Sequence, residues 1–289
     1  MLRFGLPIVF VLIWSTGFIV AKAVASHADL QLFLIARFTL TALVMGTAAV
    51  VAGAQWPRGR RAGPHLLAGA LMQGVYLCAS YWAIARGMAA GVMALLGALQ
   101  PLFTAIFLVA VMRRRLEART WIGLFIGFAG VALVLAPKLA SNGVGSLTLL
   151  TVGAALLSVV AVTIGALVQK WLAATDLRSA ASVQNFGGAA VAIVVAMCAG
   201  TGHWDGTPIL WAALIWAVLV PSVVGTTLLM WMMRHGEATK VTALILLVPP
   251  LAAVQAYLFF HETLSALQFF GFALALGGVL LTRSVRAPV

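Results

Sequence analysis

The chain has 289 residues, of which 63% are hydrophobic and only 8% charged, and it carries a net charge of +12. A soluble domain has about 25% charged residues, so this chain could not cover a water-facing surface. An ordinary soluble enzyme, a disordered chain and a nucleic-acid binder are excluded, and the positive excess needs a membrane explanation.

The first apolar run, Phe4 to Val24, is too long for a cleavable signal and no small-residue cleavage site follows it. It reads as a transmembrane helix, since about 20 apolar residues span the hydrocarbon core. Nine further runs follow at 30–53, 64–86, 88–112, 119–137, 146–170, 179–200, 208–234, 237–260 and 263–283. Short connections leave no room for a soluble domain. With the N-terminus in the cytoplasm, 14 basic residues fall on cytoplasmic segments and three (Lys22, Arg86, Lys138) on the other side. Basic residues favour the cytoplasmic side, so both termini are placed there. Arg113-Arg114-Arg115 is then a topology anchor.

Polar side chains inside a membrane are costly and usually face the bundle interior. The first span carries Trp14, Ser15 and Thr16 near its midpoint. In the third, Gln73, Tyr76 and Ser80 are three and four residues apart and share one face of a regular helix. Gln100 and Pro101 sit mid-span in the fourth, Ser158 and Thr163 in the sixth, Pro221, Ser222, Thr226 and Thr227 in the eighth, and Pro249 and Pro250 in the ninth. A Ser or Thr in such a helix commonly bonds a backbone carbonyl or a neighbouring helix instead of a ligand. Arg37 is the one charge well within a span. It lies about 10 Å from the end of its helix at 1.5 Å per residue, and is read as structural in preference to a ligand for a carboxylate. Cys78 and Cys198 lie in apolar runs without metal or redox spacing and are read as small hydrophobes, expected to be buried.

The chain repeats itself. Val92-Met93-Ala94-Leu95 resembles Val241-Thr242-Ala243-Leu244, and the same offset of 149 residues puts Pro101 on Pro250 and Trp82 on Trp231. An offset of 148 pairs Gly123, Gly127 and Gly130 with Gly271, Ala275 and Gly278, and Lys22 with Lys170. Two five-helix units, 1–138 and 146–289, are expected. Five is odd, so the second crosses in the opposite sense, the inverted repeat of many secondary transporters. Pro101 and Pro250 each remove a helix hydrogen bond and are read as paired hinges.

Ala94-x-x-x-x-Leu99-x-Pro101-x-Phe103-Thr104-Ala105, then Trp121-Ile122-Gly123 with Gly127 and Gly130-Val131, recurs in the second half with Pro249-Pro250 and His261-Glu262-Thr263-Leu264. With Trp14-Ser15-Thr16-Gly17-Phe18, Lys22 and Arg37-Phe38, this ordered set resembles the drug/metabolite transporter superfamily, in its ten-helix exporter branch with two EamA-type repeats. The aromatic content resembles the YddG-like aromatic amino-acid exporters. The resemblance implies an all-α membrane protein of ten transmembrane helices, with the first, third, fourth, sixth, eighth and ninth around a cavity. The polar midpoint residues fall on those same six helices. One departure stands out: the family's Gly-Glu pair keeps its acid in Glu262, while Arg114 takes the matching place in the first half.

All six acids fall in connections or at span ends, and no nucleotide loop, zinc-protease pattern or nucleophile elbow occurs. The expectation is therefore no enzyme, no metal and no cofactor. The chain reads as a multi-pass carrier of the bacterial inner membrane whose partners are a small-molecule substrate and the lipid bilayer, with no nucleic acid. It exports small amphipathic metabolites, aromatic or hydrophobic amino acids above all, as a facilitator by uniport or exchange. A multidrug or other metabolite exporter driven by proton antiport is the alternative. The expected substrate contacts are Trp14, Ser15, Gln73, Tyr76, Ser80, Gln100, Ser158 and Thr226.

Overall fold

The computed structural model describes residues 2–111, 113, 116–140, 147–172, 175–228 and 246–282. Every regular element among them is helical, with one isolated β-bridge between Ala28 and Trp204. Seven stretches are long and apolar enough to cross a bilayer: Leu30–Val51, Gly59–Ala85, Ala90–Phe107, Ala118–Pro137, Leu149–Lys170, Leu177–Ala199 and Pro208–Leu228. Ile8–Val24, Val248–Phe260 and Ala266–Thr282 are shorter apolar helices. These ten stretches fall on the ten predicted spans. Arg114, Arg115, Trp231, Glu237 and Val241 to Leu244 lie outside the described residues.

Several spans are interrupted, so the helices are numbered α1 (Leu2–Ser15), α2 (Gly17–Val24), α3 (Leu30–Val51), α4 (Ala62–Gly69), α5 (Tyr76–Ala85), α6 (Ala90–Ala98), α7 (Gln100–Ala110), α8 (Ala118–Ala140), α9 (Leu149–Lys170), α10 (Leu177–Ala199), α11 (Pro208–Ala217), α12 (Val248–Phe260) and α13 (Ala266–Thr282). The first span breaks at Thr16, whose hydroxyl donates to the Ile13 carbonyl at 2.7 Å. The third and eighth each contain a π-helical turn, at Ala70–Val75 and Val218–Gly225. These two turns begin 148 residues apart. The fourth span restarts after Leu99 (φ −77°, ψ −2°), and α12 starts after Leu247 (φ −81°, ψ −13°), again 148 residues on.

Proline explains the restarts. It has no N–H to donate, but the first turn of a helix needs no donor there. Pro101 therefore sits at the second position of α7, and Pro249 and Pro250 occupy the first turn of α12. The two prolines read as hinges thus stand where new helices begin.

Packing pairs the two halves. α3 lies along α10, α8 along α13, and α6 along α12, while α5 meets α9 and α2 meets α11. Glycines allow the closest approaches, which in lipid stand in for a hydrophobic driving force. A Cβ at Gly123 would come within 2.7 Å of the Gly278 carbonyl, and one at Gly271 within 2.7 Å of the Gly130 carbonyl. Gly69 of α4 and Gly187 of α10 meet the backbone at Gln184 and Leu66 in the same way. Outward faces are greasy: Phe125, Leu149 and Phe259 are 75%, 82% and 68% exposed. That suits hydrocarbon, where every backbone group is already satisfied within its helix.

The Lys22 end of the bundle is tied across the halves. Asp29 caps α3 through the Gln31 amide at 2.8 Å, and its other oxygen accepts from the Thr201 and Gly202 amides and the Thr201 hydroxyl. Burial alone would raise its pKa, but these donors outweigh burial and lower it. Nearby, His27 Nδ1 lies 2.6 Å from Asp205. The Thr207 amide, opposed by some burial and helped by His27, holds the Asp205 carboxyl down to about 2 from 3.8. A depressed carboxylate stabilises above its unfolded pKa and loses that contribution as pH falls through its folded one. The 200–207 connection is therefore expected to keep its amide protection at pH 5 and lose part of it between about pH 4 and 2. Asp205→Asn should show the weaker protection throughout, as hydrogen exchange would measure.

Candidate substrate site

The eight predicted contacts do not converge on one point. Ser15 is buried; its hydroxyl donates to the Leu12 carbonyl at 2.9 Å and accepts from Gln255 Nε2 of α12 at 2.9 Å. Trp14 is 38% exposed, packs tilted against Phe10 with centroids 5.1 Å apart, and lies beside Gly225, the neighbour of Thr226. These residues form one polar-aromatic patch where α1, α12 and the π turn of the eighth span meet. Thr16 adds to it by accepting from Trp216 Nε1 at 3.1 Å.

Tyr76 belongs to a second group. Its ring stands edge-on to Phe18 at 6.2 Å, and its hydroxyl faces Gly97 at the end of α6. Gln100 opens α7 just past the Leu99 break, and its carbonyl accepts from Thr104. Ser80 and Ser158 are fully buried, and their hydroxyls donate to carbonyls of their own helices. Gln73 packs towards Gly188 of α10. The expectation that Gln73, Tyr76 and Ser80 share a face assumed a regular helix. The π turn at 70–75 interrupts that regular spacing between Gln73 and the other two.

Two cavities flank these groups. An apolar cleft of ≈ 390 Å³ lies between α1 and α12, lined by Ile8, Val11, Leu12, Leu247, Pro250 and Leu251. The predicted hinge Pro250 thus forms a wall of this cleft. A smaller one of ≈ 100 Å³ lies at the Lys22 end between α6 and α12, beside Gly91, Ala253 and Glu262. There Glu262 pairs with Lys22 at 3.0 Å and accepts the Ala90 amide at the start of α6 at 3.2 Å. One carboxylate so ties the ends of α2, α6 and α12. None of the eight predicted contacts lines either cavity.

Three residues with polar roles stand outside the eight predicted contacts, Ser222 having been noted only as a mid-span polar residue. Tyr81 and Ser222 both hold Arg37: Arg37 Nη1 donates to the Tyr81 hydroxyl at 2.9 Å, and Nε donates to Ser222 Oγ at 3.2 Å. The Tyr81 hydroxyl in turn donates to the Gly17 carbonyl at the α1–α2 break, at 3.0 Å. Gln255 is the third, with its Oε1 enclosed and without a partner among the described residues. A polar residue mid-span was the available signal for it. For Tyr81 and Ser222 there was no signal beyond polarity.

Comparison with known proteins fits this architecture. No curated protein is matched by the sequence. A solved structure described only as "Crystal structure of protein" superimposes with a TM-score of 0.66 at 18% identity, covering 96% of this chain and 95% of the other. That likeness is one of fold. The profile of the EamA-like transporter family matches twice, over residues 4–136 and 149–284. With both halves and nearly the whole length matched, the chain belongs to the EamA-like transporter family and is a multi-pass membrane protein.

Proposed function

We propose that the protein is a secondary carrier that moves a small amphipathic solute by alternating access, with units 1–138 and 146–289 as its two inverted halves. The matched interruptions carry this reading. A π turn begins at Ala70 and again at Val218, and a helix restarts after Leu99 and again after Leu247. Irregular backbone at membrane depth is tolerated where protein or a cavity covers it. Two halves with deformable points at equal depth can exchange conformations at little net cost. Pro101 and Pro250 stand at those points.

The termini are placed in the cytoplasm of a bacterial inner membrane, so the Lys22 end faces outward. The Glu262 clasp and the Asp29 cap then close the outer face. Trp14, Tyr76, Phe18 and the neutral Ser15, Gln100 and Thr226 suit an amphipathic solute, with aromatic or hydrophobic amino acids the preferred class. The described acids, Asp29, Glu117, Asp176, Asp205 and Glu262, all stand at helix ends or connections, which favours a facilitator over proton antiport. Proteoliposomes of the purified protein should take up labelled phenylalanine saturably with no ion gradient, and Tyr76→Ala or Gln100→Ala should lower that uptake. Uptake of a drug or other solute only under an imposed proton gradient would replace this reading with the antiport one.

A further inference from the structure

Arg37 is 7% exposed, it lies within a membrane span, and no carboxylate pairs with it among the described residues. A buried cation without a counter-ion is expensive, and an ionisable residue inside a membrane helix is a candidate for a substrate or ion site. Snorkelling would relieve the cost by carrying the guanidinium to the interface. The geometry shows the opposite. Tyr81 and Ser222 hold it inside the bundle, and both are themselves anchored, Tyr81 on the Gly17 carbonyl and Ser222 on the Ala217 carbonyl at 2.8 Å. Four spans thus converge on one charge: the break of the first, the second, the third, and the π turn of the eighth.

The donor arithmetic sharpens this. A guanidinium carries five N–H groups. One goes to Ser222 and one to Tyr81, and the other three have no protein acceptor among the described residues. Both acceptors are neutral hydroxyls, so no described group matches the positive charge. The place 148 residues on is Asn185, which is neutral and bonded to the Ala181 carbonyl of its own helix at 2.9 Å. The two halves therefore differ in charge at this matched pair, with a cation at Arg37 and a neutral amide at Asn185.

We propose that Arg37 is a carboxylate-binding residue, and that the protein recognises its solute by the acid group and not by an ammonium group. The three free N–H groups allow a two-point contact with one carboxylate, the strong charge-assisted geometry of arginine. No described acid stands near Arg37 to hold an ammonium. The class of ligand is thus an organic monocarboxylate with an apolar or aromatic body, for which an α-amino group is dispensable. This deepens the carrier reading and rests on it for the nature of the ligand.

Three probes share a phenyl ring and differ in charge: L-phenylalanine, 3-phenylpropionate and 2-phenylethylamine. In chloride-free detergent solution, full-length protein should bind labelled 3-phenylpropionate. Unlabelled 3-phenylpropionate and phenylalanine should displace it, with phenylethylamine weaker by about tenfold or more, the size expected for hydrogen bonds to a charged group. Arg37→Gln should abolish that preference and Arg37→Lys should retain part of it. Should neither variant fold, the three probes on the native protein still decide. Displacement by phenylethylamine as strong as by phenylpropionate, or no displaceable carboxylate binding at all, overturns the proposal. So does an Arg37→Gln protein that keeps its preference. Carboxylate-selective binding with no uptake into vesicles would sustain Arg37 and remove the carrier reading; uptake indifferent to the carboxylate would do the reverse.

Discussion

Replacing Gly69 or Gly187 by alanine is expected to unseat α4 from α10 and to unfold the bundle at markedly lower temperature. A methyl at Gly69 would land on the backbone carbonyl of Gln184, and one at Gly187 on the carbonyl of Leu66. Overpacking a core usually costs about 1–3 kcal/mol, because side chains rotate and neighbours shift. Here the obstacle is the backbone of the neighbouring helix and not a side chain that could rotate, so the cost should reach about 3 kcal/mol or more. Gly153 provides the contrast, since nothing lies within 4 Å of its added methyl. Gly153→Ala should leave the melting temperature unchanged or raise it, because alanine is the better helix former by about 1 kcal/mol. Melting curves in detergent for the three variants check both statements. A Gly69→Ala protein that melts with the wild type would mean that the two helices do not approach as described.

Glu262→Lys is the second change with a large expected effect. Glu262 holds the Lys22 ammonium and the first amide of α6 together, so the substitution removes an acceptor from both and puts a cation beside a cation. The pair is partly exposed, with side-chain accessibilities of 33% and 17%, so its own worth is about 1 kcal/mol or less. The lost amide acceptor adds about 1 kcal/mol. Together, at about 1–2 kcal/mol, they shift the balance between closed and open ends by about tenfold. A cysteine at Ala256, which is 1% exposed on the wall of the small cavity, should then react faster with a water-soluble maleimide by about that factor. Exchanging the partners, Lys22→Glu with Glu262→Lys, should restore slow labelling only in part, because the α6 amide still lacks its acceptor. Equal labelling rates in all three proteins would mean that this end is held by something else.

Hydropathy made the ten spans legible, because lipid demands long apolar helices and little else competes with that signal. The glycine spacings of α8 and α13 were equally readable: Gly123, Gly130, Gly271 and Gly278 do face one another across the halves. The interruptions were less so. Prolines pointed to Leu99 and Leu247, but as residues that remove a hydrogen bond within a helix, when a proline in the first turn simply begins one. Nothing in Ala70 to Val75 announces a π turn, since an extra residue in a helix changes the backbone without any characteristic side chain. The break at Thr16 is equally silent, for a hydroxyl bonded to its own helix occurs in unbroken helices too. For the site, polarity at mid-span drew attention to Ser80 and Ser158, whose hydroxyls are satisfied locally. Arg37 was conspicuous, but its partners are 44 and 185 residues away, and only the folded bundle brings them to it.

The π turn of the third span has one more consequence. An inserted residue advances the rest of a helix by about 100° at 3.6 residues per turn. The span therefore works in two phases: α4 turns Gly69 to α10, while α5 turns Tyr81 to Arg37. Excising one residue between Ala70 and Val75 would make the rod regular and still long enough to cross the membrane. It would also swing the Tyr81 hydroxyl about a quarter-turn off the guanidinium. An insertion that costs a few strained hydrogen bonds thus acts as a clutch plate, setting the angle at which one end of the helix meets the polar centre while the other stays meshed with its neighbour.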